Sequence, residues 1–191
     1  MSKLKKVLLW IIGIVLVLFL LMKFAVGPYI ISQTKIHSPE KHIAYNQNDL
    51  ELKVFYNSPS KKGRTIFGEL VPYNEVWRTG ANEASTFTTN KDLLIDGKTL
   101  PKGTYSLWTI PGESSWQVIF NSEMYDWGVK FSDQTPSREP EYDVVVATVP
   151  SSKSLTITED FTISFSEVGE DTLMILAWDQ VVVPVLLQEK K

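Results

Sequence analysis

From Val7 to Met22 the chain runs sixteen residues, VLLWIIGIVLVLFLLM, without one polar side chain. Lys23 interrupts the run, FAV follows, and Gly27-Pro28 predicts the end of a helix. Counted from Val7 to Val26, such a helix is about 30 Å long, which matches the hydrocarbon thickness of a bilayer. Lys23 lies close enough to its end to reach the headgroups with its ammonium. The next stretch, Pro28 to Gln47, sustains no period, carries both histidines, His37 and His42, and reads as a stalk.

At Asp49 the period becomes two. DLELKVFYN places Leu50, Leu52, Val54 and Tyr56 on one face, the signature of a half-buried strand. Further strands are expected at 85–90, 92–95, 104–110, 116–121, 142–149, 160–166, 172–178 and 181–187. Asp-Gly, Pro-Lys-Gly, Pro-Gly-Glu-Ser-Ser and Val-Gly-Glu-Asp separate several of them and carry turn chemistry. No segment after residue 49 holds a helical period for three turns, although SEMYDWG (122–128) accommodates one turn. Strands without crossover helices predict an all-β domain, an antiparallel β-sandwich or barrel-like relative, preceded by a single N-terminal transmembrane helix. Pro184 suits an edge strand. The implied division is a cytoplasmic tail (1–6), a transmembrane anchor (7–27), a stalk (28–48) and a β-sandwich domain (49–188).

Composition sharpens the location. Lys3, Lys5 and Lys6 precede the apolar run, so the N-terminus is expected in the cytoplasm and the domain on the periplasmic or extracytoplasmic side. A cleaved signal is the competing reading, but the run is long, Lys23 stands where small residues should begin, and no A-x-A site follows. The absence of cysteine excludes a lipoprotein anchor and leaves stability to core burial alone. Residues 1–27 hold four of the 19 basic residues and none of the 22 acids, so the remainder carries 15 against 22, a net charge of −7. Such a surface excludes nucleic acid as a partner and is not drawn to anionic lipid. The expected partners are the bilayer, through residues 7–27, and an envelope glycan, peptide or protein.

Three blocks carry a resemblance: the SPSKKGR lead-in, LVPYNEVWRTGANEA and LPKGTYSLWTIPG. They resemble the bacterial domain-of-unknown-function 2911 family over the stretch from Leu50 to Leu187. Asn74 stands where a glycine is more usual and Ser85 where a threonine is. The resemblance implies an exported β-rich fold. It implies no activity and no catalytic residue.

The chemistry on offer is narrow. After Asp49 there is neither histidine nor cysteine, so a Ser-His-Asp triad, a Cys-His pair and an imidazole or thiolate zinc site are unavailable there. No Gly-rich phosphate loop occurs, and no cofactor or metal is expected. Ser58-Pro-Ser-Lys61 fits the S-x-x-K of penicillin-recognising enzymes, but it follows a strand and lacks the S-D-N and K-T-G companions, and it reads as a solvated loop. Acid pairs such as Glu83 and Asp126 are what any surface rich in carboxylates offers.

The arginines say more. Against sixteen lysines there are three arginines, and Arg64 and Arg78 both lie in the long segment 57–84. Arginine's planar fork grips a carboxylate or stacks on a ring as lysine cannot. Each is expected either to brace its loop, Arg78 against Glu83 or Glu75, or to hold an anionic or hydroxyl-rich ligand. Small Thr79, Gly80 and Ala81 lie between Trp77-Arg78 and Asn82-Glu83, so the loop can bend sharply. The candidate ligand-binding set is Arg64, Trp77, Arg78, Asn82 and Glu83, with Tyr105, Trp108 and Trp127 as bordering aromatics. Tyr105 and Leu107 face opposite to Trp108, so only one of the two aromatics is expected in the core. Three functions follow in order: a ligand-binding module, a structural or interaction protein braced by the WRTGANE motif, and a carboxylate-dependent hydrolase.

Overall fold

The computed structural model describes residues 2–190. It divides into two compact units, Met1–His37 and Ser38–Lys191. The first is helical: α1 (Lys3–Leu21), a π-helical turn (Met22–Val26) and α2 (Gly27–His37). Ser2 caps α1 by accepting the Lys5 amide. The helix does not stop at Gly27-Pro28. The π turn interrupts the regular ladder just before Pro28, which then falls in the first turn of α2, where a missing N–H costs little. This helix is long and apolar enough to cross a membrane or to serve as a signal anchor.

The second unit is built of antiparallel strands: β1 (Glu40–Gln47), β2 (Leu50–Asn57), β3 (Thr86–Thr89), β4 (Leu93–Ile95), β5 (Lys98–Leu100), β6 (Gly103–Ile110), β7 (Ser115–Asn121), β8 (Asp143–Pro150), β9 (Ser152–Val168) and β10 (Asp171–Glu189). They form a six-stranded sheet, β1-β2-β3-β6-β7-β8, and a four-stranded sheet, β5-β4-β10-β9. The core lies where alternation predicts it. Leu50, Leu52, Val54 and Tyr56 are buried while Glu51 and Lys53 are exposed, and Phe87, Leu107 and Phe120 face the same interior.

Four further expectations change. The stretch 28–48 is not a stalk throughout: Gly27–His37 is helical and Glu40–Gln47 is a strand, with Ile43 opposite Val54 and Tyr45 opposite Leu52. As an edge strand β1 needs few apolar residues, and its alternation is correspondingly faint. The expected strands 172–178 and 181–187 are one, β10. Its core face changes parity, from Met174, Leu176 and Trp178 to Val183, Val185 and Leu187. The register shifts beside Asp179, at φ +53°, produce that change, because an odd residue in a ladder turns every later side chain over. Pro184 therefore sits in an inner strand, not at an edge. It is tolerated because pairing with β9 ends at Val182 and pairing with β4 begins at Gln188. Ser122–Gly128 holds no helical turn; a 3₁₀ turn occurs instead at Pro140–Tyr142.

The sheet margins are covered by side chains at β8 and by loop backbone at β9. At β8, Lys98 Nζ donates to the Val146 carbonyl and Asp96 accepts the Thr148 amide at 3.0 Å. At β9, the Phe161 amide donates to Pro59 O at 2.9 Å and the Lys61 amide to Glu159 O at 2.7 Å. The second set joins segment 57–84 to the four-stranded sheet.

Tyr56 makes another such join, its hydroxyl accepting the Ile163 amide at 3.1 Å. Burial raises its pKa, the Ile163 hydrogen bond offsets part of that, and Asp160 adds to it. A raised folded value favours the neutral phenol. Its stabilisation is therefore complete below the unfolded value of about 10 and lost as pH climbs through the folded one. Alkaline melts of wild type and Tyr56→Phe should converge above that pH, while at pH 7 the variant should be weaker by about 1–2 kcal/mol.

Candidate functional site

Segment 57–85 begins as a clasp. Ser58 is buried, and its hydroxyl donates to Phe161 O at 2.7 Å. Lys61 Nζ reaches the Asp179 carboxylate at 2.6 Å and Arg64 O at 2.9 Å. The expectation of a solvated loop here is corrected. Serine and lysine face different partners, and together they fasten the loop to β9 and β10. Arg64 remains exposed and turns onto its own loop, donating from Nε to Lys61 O at 3.0 Å and from Nη2 to Ser60 O.

The WRTGANE stretch is next. Trp77 bridges to Thr109 of β6, with N–H···O distances of 2.7 and 2.9 Å in the two directions. The backbone then bends through positive φ at Thr79 (+56°) and Asn82 (+57°). For a β-branched threonine this costs about 1–2 kcal/mol. The bend is held by Thr79 Oγ1 on Thr109 Oγ1 at 3.2 Å, by Ser85 Oγ on Thr79 O at 2.8 Å and by the Ala81 amide on Asn57 O at 3.2 Å. Gly80 is required by close approach: a Cβ there would lie 2.8 Å from Asn57 O and 3.1 Å from Ser85 Oγ.

Around this bend the polar side chains bond to one another. Trp77 Nε1 donates to Gly80 O at 3.1 Å. Asn57, fully buried at the end of β2, donates from Nδ2 to Glu83 Oε2 at 2.9 Å. Asn82 Nδ2 lies 3.5 Å from both Asn57 Oδ1 and Ser38 O. Arg78 is half-buried and donates from Nη1 to Asn82 O at 3.2 Å. Burial pushes its pKa down from the ordinary guanidinium value, and the Glu83 charge pushes it back up. The stem of Arg78 lies against Gly128, where a Cβ would fall 2.4 Å from Arg78 Cδ and 2.6 Å from its Cβ. Gly128→Ala should therefore displace Arg78 and lower stability by about 1–3 kcal/mol, measured by urea unfolding. Among the described residues, no buried side-chain nitrogen or oxygen lacks a hydrogen-bond partner.

The aromatic members separate. Trp77 packs with Phe161 (centroids 4.9 Å) and stacks on Trp178 (5.9 Å, 16°), forming the floor of the loop. Tyr105 is buried in the main core, its hydroxyl donating to Pro101 O at 2.7 Å. Trp108 is buried too, but on the opposite face of its sheet, with Ala84, Ile119 and the ring of Tyr125. The expectation that one of this pair would stay out of the core fails, because the second long loop (122–141) crosses that face and encloses a small core of its own. Trp127 stays half-buried and stacks on Phe131. Trp77, Arg78, Asn82 and Glu83 thus lie together, whereas Arg64, Tyr105 and Trp108 face elsewhere.

Several contributors carried no sequence signal of their own. Asn57, Thr109 and Gly128 meet the motif only through the fold. The second loop also hides an ion pair: Arg138 Nε donates to Asp143 Oδ1 at 3.0 Å and Nη2 to Oδ2, both side chains are 10% exposed, and Asn121 Nδ2 adds a bond of 2.9 Å to the same carboxylate. The loop's tip is closed by Asp133, which accepts from the Thr135 amide at 3.0 Å and the Thr135 hydroxyl at 2.6 Å. Those bonds hold its carboxyl below the usual aspartate range. A depressed folded value gives stabilisation above the unfolded value that is lost as pH falls through the folded one. The Thr135 amide resonance should thus keep its position down to about pH 3.9 and shift only below it. A solvent hollow of about 970 Å³ lies among Asn48, Leu94, Gly169 and Gln188 and includes no residue of the sequence-derived set.

The architecture defines a class: an antiparallel two-sheet β-protein carrying one long N-terminal apolar helix. Residues 38–187 match the family model described as "Protein of unknown function (DUF2911)", and the chain belongs to that family. No curated protein and no solved structure is similar enough to the chain to match it.

Proposed function

We propose that this chain is a membrane-tethered structural or interaction protein of the cell envelope. In this reading residues 7–27 anchor it, the N-terminus is cytoplasmic and the β unit works on the other side. The WRTGANE stretch braces the fold, and function resides in pairing with another envelope component. One observation carries the reading: the polar atoms of the motif are engaged with one another and with Asn57 at the end of β2, Ser85 just before β3 and Thr109 of β6. Such a closed network rigidifies a loop and offers little to a ligand. Arg78→Ala tests it. The variant should lose about 1–2 kcal/mol, a fall of about 3–8 °C in melting temperature, while crosslinking in native membranes still captures a stoichiometric protein partner. An unchanged melt, with no partner captured, overturns the reading.

A second reading, a module for a glycan, peptide or small anionic ligand, draws on Arg78 itself. Its guanidinium engages one acceptor among the described residues, Asn82 O, and the side chain is only half-buried. Arg78→Lys keeps the charge and loses the fork. Binding of a peptidoglycan-fragment array that disappears in this variant at unchanged melting temperature supports this reading, and an array that binds neither protein counts against it.

A further inference from the structure

The second long loop ends in a small hairpin that neither core explains. Val129 and Pro136 bridge, the Lys130 amide donates to Thr135 O at 2.8 Å, and the Gln134 amide returns to Lys130 O at 2.9 Å. Phe131 projects from its tip at 80% exposure, stacked on Trp127 with centroids 6.1 Å apart and planes 27° from parallel, and Met124, three residues before Trp127 in the same loop, is 48% exposed. Tyr125 of the same loop is absorbed by the Trp108 cluster, while Trp127 and Phe131 belong to neither cluster. An exposed phenyl ring backed by a half-buried indole, with an exposed thioether in the same loop, is apolar surface on an otherwise acidic unit.

The hairpin's place in the fold says what it meets. Its base, Gly128, donates its amide to Asn82 O at 3.3 Å, and the side-chain nitrogen of the same Asn82 lies 3.5 Å from Ser38 O. Ser38 is the residue that follows the apolar helix. The base of the hairpin is therefore linked, through Asn82, to the residue at which that helix joins the β unit. We infer that Trp127 and Phe131, with Met124, insert into the headgroup zone of the membrane that holds the anchor. This rests on residues 7–27 spanning a bilayer. The Trp127 indole suits that zone because it joins a flat apolar face to a polar N–H, and Phe131 adds apolar area. Tethering raises the local concentration of lipid, so a small apolar contact suffices. Gly27–His37 supplies a connecting stretch of about 16 Å, and π-helical turns such as Met22–Val26 are sites where helices bend.

Charge sets which lipid the hairpin tolerates. Asp126, Asp133 and Glu123 outnumber Lys130 around the rings, so attraction to anionic lipid is not the driving force. Insertion should be stronger in phosphatidylcholine than in mixtures with phosphatidylglycerol, and added salt should narrow that difference.

The chain has no cysteine, so a single introduced one can be labelled uniquely. Full-length protein carrying Ser132→Cys, labelled with an environment-sensitive fluorophore, is reconstituted in phosphatidylcholine vesicles. A second sample labelled at Leu16→Cys reports the anchor. The label at 132 should be blue-shifted and about twofold brighter than in the Phe131→Asp background, because it leaves water for the interface. Lipids spin-labelled near the headgroup should quench it. Water-like emission at 132, with position 16 embedded, overturns the inference and leaves the anchor standing. Water-like emission at both positions overturns the anchor and the inference together. A blue shift that ignores the lipid quencher and grows with protein-to-lipid ratio identifies a second copy as the occupant and likewise overturns it.

Discussion

Trp77→Ala is expected to lower the unfolding free energy of the β unit by about 3–5 kcal/mol, the cost of deleting a large packed aromatic. The indole lies against Phe161, Trp178 and, edge-on, Trp116 (centroids 6.2 Å). Its removal leaves a void between the two sheets where segment 57–84 crosses them. It also frees Gly80 O, the acceptor of the indole N–H, at a residue packed closely against Asn57 O. Trp77→Phe separates the two effects: most of the packing returns, the hydrogen bond does not, and a residual loss of about 1–2 kcal/mol is expected. Calorimetric or urea unfolding reads both. A Trp77→Ala protein of wild-type stability would mean that this indole faces outward.

The second large effect is expected away from the motif, at Arg138. Arg138→Met removes the guanidinium from Asp143 and leaves a carboxylate, itself only 10% exposed, held by Asn121 alone. Breaking one side of a buried pair costs about 3–5 kcal/mol, whereas replacing both sides with apolar groups is close to neutral. Arg138→Met with Asp143→Leu should therefore recover most of the loss, although Asn121 keeps a preference for the carboxylate. Equal losses in the single and double variants would show that local packing, and not the uncompensated charge, sets the cost. The pair closes the second long loop between Asn121 and β8, and the Trp108 cluster lies beneath that loop. Near-ultraviolet circular dichroism of Trp108 and Tyr125 should weaken in the single variant and return in the double.

How much of this was legible follows from which interactions are local. Leu50, Leu52, Val54 and Tyr56 announce β2 because period two is a property of neighbours along the chain. β1 was not legible: Ile43, Ala44 and Tyr45 make a short apolar run with no alternation, and its identity depends on pairing with β2. Asp179-Gln180 separates two expected strands, yet β9 continues alongside and the pair becomes an irregularity within one strand. The same division holds at the motif. Small residues between Trp77 and Asn82 correctly predict a sharp bend. Whether that bend opens a hollow or closes a joint depends on Asn57, Ser85, Thr109 and Gly128, and no spacing rule connects those positions. Arg64 and Arg78 share a segment but not a neighbourhood, because the clasp at Ser58 and Lys61 turns the first toward its own loop.

The central claim is that the Trp77–Ser85 bend is a sealed joint. Native-state hydrogen exchange at the amides of Trp77 and Ala81, bonded to Thr109 O and Asn57 O, tests it most directly. A brace predicts that both exchange as slowly as the Leu107 amide, which bonds Ser85 O at 2.7 Å, opening only with global unfolding. Exchange at Trp77 and Ala81 that is orders of magnitude faster than at Leu107 would contradict the account and describe a loop open to solvent.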